Sequence, residues 1–367
     1  MRRHADRDTG WRKARRRVAD GSAAAASGNR LRAAISGRLR LALGLGLLVV
    51  MVGCGGILDA GRNLDAGPLA VDHHNPVIID NDGCCDNWAG EFAVLLANTG
   101  GLTLEGIVVD ASNYWTDQSA NATGWNNLVA AARASGLEHL PDVTLGASSQ
   151  LTVPADQKIE STVPLGTKGA HLIVDLSRQL ALPEQPLVVV TGAALTDLAD
   201  AYLMDRSVVD RVTVVASLGS TSSGKALMTG PNGDLDPWAD FIVAQRFRYV
   251  QVTVLYDQSG DVTADDFANL PQNKLGDWIK AKQPNLSKLN TAADHVAVIA
   301  AGIPSFVTAS QPSTPDPAAV YGSPQGQGPP LIPSSTGNAL VVTQVDAALV
   351  RTRLWQMLQD PHIFGGS

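Results

Sequence analysis

From Pro76 onward, short runs of aliphatic and β-branched residues alternate with longer stretches whose apolar positions recur at helical spacing. Residues 77–80, 106–109, 143–145, 187–191 and 212–216 are largely apolar runs, as strands buried on both faces require, whereas 250–255 alternates apolar and polar side chains. Helices are expected at 87–97, 124–135, 170–182, 195–204 and 237–245, with a weaker one at 294–301. A last strand and helix are expected at 339–343 and 346–358. Residues 311–337 are rich in Pro, Gly and Ser, have no apolar period, and read as a surface loop within the domain.

Strand–helix alternation of this kind predicts an α/β fold: a mainly parallel, doubly wound, Rossmann-like sheet in one large domain over 76–367, with no internal repeat. In such sheets ligands bind at the carboxyl ends of the strands, so polar residues just after each strand are the first candidates for chemistry.

Charge changes the picture at the N-terminus. Residues 1–40 hold 12 of the 28 Lys and Arg but only 3 of the 35 Asp and Glu, which leaves the body strongly acidic. Without a basic run in that body, nucleic acid is not an expected partner. Residues 41–52 (LALGLGLLVVMV) form a short charge-free run ending at Gly53-Cys54. This resembles the lipobox of bacterial lipoproteins, with Cys54 as the lipidated first residue of an exported protein; an uncleaved N-terminal anchor is the alternative. Residues 1–53 are therefore set aside as signal or anchor, 54–75 as a linker, and the body is expected on the periplasmic or extracellular face. Three cysteines and no C-x-x-C pair exclude a disulfide scaffold and a structural zinc site of that type.

The most informative segment is Pro76-Val-Ile-Ile-Asp80-Asn81-Asp82-Gly83-Cys84-Cys85-Asp86-Asn87. An apolar strand delivers Asp80 and Asp82 to its carboxyl end, and Asp86 and Asn87 open the next helix. Helix capping explains the last two residues but not the first two, whose mutual repulsion a hard divalent cation would relieve.

This segment resembles the first motif, D-x-D-P-G-x-D-D, of the nucleoside hydrolase family, inosine-uridine preferring type. Four further segments resemble that family in order. Residues 106–113 (GIVVDASN) are similar to G-I-T-x-V-x-G-N, and Thr191 to Ala199 is similar to T/L-G-P-L-T-N-L-A. Asn232-Gly-Asp-Leu-Asp236-Pro237-Trp-Ala239 resembles N-x-x-x-D-P-E-A, and Ala292-Ala293-Asp294-His295-Val-Ala-Val resembles x-H-D-P-x-A-V. The resemblance implies hydrolysis of the N-glycosidic bond of a ribonucleoside or related riboside. It implies Ca²⁺ held by Asp82, Asn87, the Thr191 carbonyl and Asp294, with Asp82 as general base on the bound water. It assigns Asp86, Asn113 and Asn232 to the ribose hydroxyls. It leaves oligomerisation open.

Several positions depart from the family pattern. Asn87 replaces a carboxylate, which weakens the expected metal site. Ala293 replaces the His associated with protonating the leaving base, and His295 lies about 200° away around a helix. Gly230 replaces a Glu. These changes keep a second reading open, that of a catalytically impaired ribose- or nucleoside-binding lipoprotein. A third is a haloacid-dehalogenase-like phosphatase with Asp80 as nucleophile, Asp82 as acid, and 260–265 as its last acidic motif. Cys84-Cys85 read as small loop residues, His73-His74 as solvated, and Tyr114-Trp115 as loop aromatics within reach of a nucleobase.

Overall fold

The computed structural model describes residues 74–83, 88–111, 118–222, 225–228, 230, 232–253, 262–282, 306–321 and 328–364. In chain order its elements are β1 (Pro76–Asn81), α1 (Ala89–Asn98), β2 (Thr103–Val109), α2 (Gln118–Ala134), β3 (Val143–Leu145) and α3 (Lys168–Leu180). Next come β4 (Leu187–Gly192), α4 (Thr196–Met204), β5 (Val212–Ser217), β6 (Ser220–Ser222), β7 (Lys225–Leu227), α5 (Pro237–Arg246) and β8 (Arg248–Val252). The chain ends with α6 (Ala264–Ala268), α7 (Lys274–Lys282), β9 (Val307–Pro315), β10 (Leu331–Pro333), β11 (Ala339–Val345) and α8 (Ala347–Gln359).

The strands form one 11-stranded sheet in the order β3-β2-β1-β4-β5-β8-β11-β9-β10-β7-β6. From β3 to β11 the neighbours are parallel, and from β11 to β6 they are antiparallel. The expected α/β, mainly parallel, doubly wound architecture is therefore present. β1 and β4 are buried along their whole length because helices cover both faces. Alternate residues of β1 mark the two faces. Val77 and Ile79 pack with Phe92 of α1, Leu128 of α2, Ile279 of α7 and Leu354 of α8. Ile78 packs with Ile173 of α3, Leu198 of α4 and Ile242 of α5.

The chain leaves β1 toward β2 and β3 on one side and returns to place β4 on the other. The sheet thus has its switch point between β1 and β4, where the connections diverge and a crevice opens at the carboxyl ends.

Two regions differ from expectation. Residues 311–337 are not loop throughout, since β9 and β10 occupy both ends and extend the sheet beyond β11. Their Pro/Ser/Thr composition hides this, because half-exposed strands show no apolar run and β11 supplies the pairing from outside the segment. Gly337, in the connection from β10 to β11, lets that segment pass close to β9, since a Cβ there would lie 1.8 Å from the Ser313 carbonyl oxygen. Helix α1 begins at Ala89, two residues later than expected, after Trp88 in the left-handed conformation (φ 68°). Helices α6 and α7 and strands β6 and β7 carry too few apolar repeats to be read from the chain alone. The expected helix at 294–301 lies outside the described residues, as do 1–73. Among the described residues no helix is long and apolar enough to cross a membrane.

Candidate metal centre and ribose crevice

The apolar run of β1 fixes where its polar end emerges. Asp80 and Asn81 are still in the ladder, paired with Thr191 and Gly192 of β4 and with Val108 and Val109 of β2. The Gly83 N–H donates to Asn81 Oδ1 at 2.9 Å, which turns the chain directly after Asp82. Asp82 is half-buried at this turn, and Thr191 is buried at the neighbouring strand end. Asn232 reaches the same edge. Its side-chain amide donates to the Gly192 carbonyl at 2.9 Å and to the Ser217 carbonyl at 3.1 Å, bracing the loop across the ends of β4 and β5.

Of the residues expected in the site, Asp82 follows β1, Thr191 lies near the end of β4, and Asn232 bonds to the ends of β4 and β5, all at the carboxyl edge of the sheet. Asp86, Asn87, Asn113 and Asp294 lie outside the described residues, with Cys84, Cys85, Tyr114, Trp115, Ala293 and His295. His74 is exposed ahead of β1. Asp236 of the fourth motif is a brace: it caps α5 through the Ala239 N–H (3.0 Å) and accepts from the Leu151 N–H and the Thr196 hydroxyl, both at 2.8 Å. Burial pushes its carboxyl up, and these hydrogen bonds oppose the rise.

Reading the sequence did not anticipate the densest feature of this edge. Asp80, Asp110 just after β2, and Asp197 in the first turn of α4 are all fully buried, and ligand atoms from the three lie within 4.8 Å of one another. Asp110 and Asp197 share a donor, the Ala147 N–H, at 2.8 Å to Asp110 Oδ1 and 2.9 Å to Asp197 Oδ2. The Thr167 hydroxyl donates to Asp197 Oδ1. Burial holds the Asp110 carboxyl well above its ordinary value, and the charges of Asp197 and then Asp80 push it further.

A glycine is required beside these acids. A Cβ on Gly146 would fall 2.0 Å from Asp110 Oδ1 and 2.2 Å from Asp197 Oδ2. A signal for both acids existed: Asp110 stands at the Val of G-I-T-x-V-x-G-N, and Asp197 at the Asn of T-N-L-A. Three buried carboxylates brought this close together are a donor set that suits a hard divalent cation. The phosphatase alternative needs Asp80 as an accessible nucleophile, and its burial in this cluster denies it that role.

A doubly wound α/β sheet with buried acids clustered at the carboxyl ends of its strands is the class of protein that fold and site define. Comparison with solved structures sharpens it to a nucleoside hydrolase-like fold. An inosine-guanosine nucleoside hydrolase aligns with a TM-score of 0.55 at 16% identity, covering 78% of this chain and 99% of its own. An inosine-uridine preferring nucleoside hydrolase from Bacillus anthracis aligns at 0.54 and 15%, covering 77% and 99%. The type III effector protein XopQ, solved in complex with adenosine diphosphate ribose, aligns at 0.52 and 13%, covering 81% and 94%. Neither a family model nor a curated protein sequence matches the chain.

Proposed function

We propose that this protein hydrolyses the N-glycosidic bond of a ribonucleoside or related riboside. The observation that carries the reading is the delivery of Asp82 and Thr191 to adjacent strand ends at the β1/β4 switch point, in a fold shared with nucleoside hydrolases. Asp82, Asn87, the Thr191 carbonyl and Asp294 would hold Ca²⁺, which supplies a polarised water and a seat for the ribose diol. Asp82 then takes the proton of the attacking water at its carboxylate. Asp86, Asn113 and Asn232 orient the sugar, and the acidic surroundings favour the positive charge that develops on it. The protein acts outside the cytoplasm, tethered by lipid on Cys54.

Ala293 leaves the departing base without a proton donor, a contribution worth about 10²–10⁴-fold. Free ribose release should therefore be slow from purine nucleosides and faster from p-nitrophenyl riboside, whose leaving group needs no proton. Asp82→Ala should abolish the latter, and Asn87→Asp should lower the Ca²⁺ requirement. Activity on the activated riboside that survives Asp82→Ala, or none at millimolar Ca²⁺, would overturn the catalytic assignment.

One observation favours the binding-protein reading instead. Gly230, at the position of the family's Glu, has φ 98°, a conformation that a Glu side chain would strain. A Glu could not simply be restored there without strain, and the XopQ complex with adenosine diphosphate ribose gives this fold a ligand-bound precedent.

A further inference from the structure

We infer that Asp80, Asp110 and Asp197 form a second cation site, separate from the ligand set at Asp82, that takes a hard divalent cation such as calcium. The inference does not depend on the hydrolase reading. Asp200, one turn along α4, shows what a buried acid in this region looks like when protein donors suffice. It accepts from the Leu165, Gly166 and Thr167 N–H groups and from the Thr167 hydroxyl. Asp110 and Asp197 have, between their four oxygens, the shared Ala147 N–H and the Thr167 hydroxyl.

Asp110 Oδ2 is buried and meets no donor among the described residues, and the carboxyl faces that of Asp197 at hydrogen-bond range, a contact that only a proton or a cation can bridge. An oxygen left bare inside a group of three carboxylates is the mark of a missing positive charge. The backbone is shaped around these acids, because Gly146 and Gly169 are the residues whose Cβ atoms would strike them. Gly146 and Thr167 also line a cavity of about 370 Å³, which brings ion-sized space to the cluster's edge.

Two oxygens on one Ca²⁺ can be up to about 5.2 Å apart, and ligand atoms of the three acids, all within 4.8 Å of one another, satisfy that limit. The two added acids also explain each other: Asp110 and Asp197 both occupy positions where the family pattern is uncharged, and either alone would pair with Asp80 less completely.

The test uses the full chain in detergent, stripped with EDTA, with thermal unfolding followed against added CaCl₂ and radioactive calcium counted by equilibrium dialysis. At a hundred times its dissociation constant, calcium should raise the midpoint by roughly 5 °C. The rise should persist in Asp82→Asn, where the other ligand set is disabled, and be lost when Asp110→Asn or Asp197→Asn is added to that variant, with affinity falling on the order of tenfold or more. A wild type that does not respond overturns the proposal and leaves a cluster neutralised by protons. A response kept by both double variants overturns it as well, as does one lost in Asp82→Asn alone. Should the triad variants fail to fold, the dialysis count decides: Asp82→Asn protein that binds no calcium refutes the site.

Discussion

Asp240 is a buried acid that nothing answers. It stands in the first turn of α5, is fully buried, and neither carboxylate oxygen has a hydrogen-bond partner. Burial pushes its carboxyl well above the ordinary value, and the charges of Asp236 and Asp234 add to the rise. The folded state therefore keeps a proton that the unfolded chain releases above pH of about 4. Because the folded state binds more protons in that window, stability falls as pH rises, by about 1.4 kcal/mol per unit, until the folded carboxyl itself ionises. Asp240→Asn keeps the shape and removes the titration. Urea unfolding of both proteins at pH 5, 6 and 7 should show the variant gaining on the wild type as pH rises, by up to about 1.4 kcal/mol per unit for as long as the folded carboxyl keeps its proton. Taking the difference between the two proteins cancels the other acids, including Asp110. A difference constant to within about 0.5 kcal/mol would refute the reasoning, since additive and pH-independent effects fall within that band.

Asp205 should behave in the opposite sense. Burial pushes its carboxyl up, but hydrogen bonds from Ser207, Arg211 and Arg178 outweigh it and bring the pKa down to about 2. Asp205→Asn should cost about 1 kcal/mol at neutral pH after allowance for solvent screening, and the deficit should vanish as pH falls from about 4 toward 2; acid unfolding curves check it. At the N-terminus, Cys54→Ser should abolish labelling by a fatty-acid precursor and leave a chain whose mass includes residues 1–53; a wild-type membrane fraction carrying that longer chain would point to an uncleaved anchor instead.

Strands β1, β4 and β5 were legible because each is buried along its whole length, and a strand so placed must be apolar nearly throughout. The helices between them repeat apolar residues at the spacing that covers those faces. That alternation was enough to imply the doubly wound sheet and to direct attention to Asp80 and Asp82 at its carboxyl edge, while Thr191 and Asn232 were singled out only by the family resemblance. The antiparallel extension was not legible. β9 and β10 lie in Pro- and Ser-rich chain, and their pairing is supplied by β11 and β7, partners distant in sequence. The acid cluster was decided by tertiary structure for the same reason. Asp80, Asp110 and Asp197 come from two strand ends and a helix start separated by 30 and 87 residues, and each alone resembles an ordinary polar residue after an apolar run. Only the parallel order β2-β1-β4, with α4 following β4, brings them together. Local sequence can announce where a strand stops, but which strand ends become neighbours depends on the crossover connections of the whole sheet.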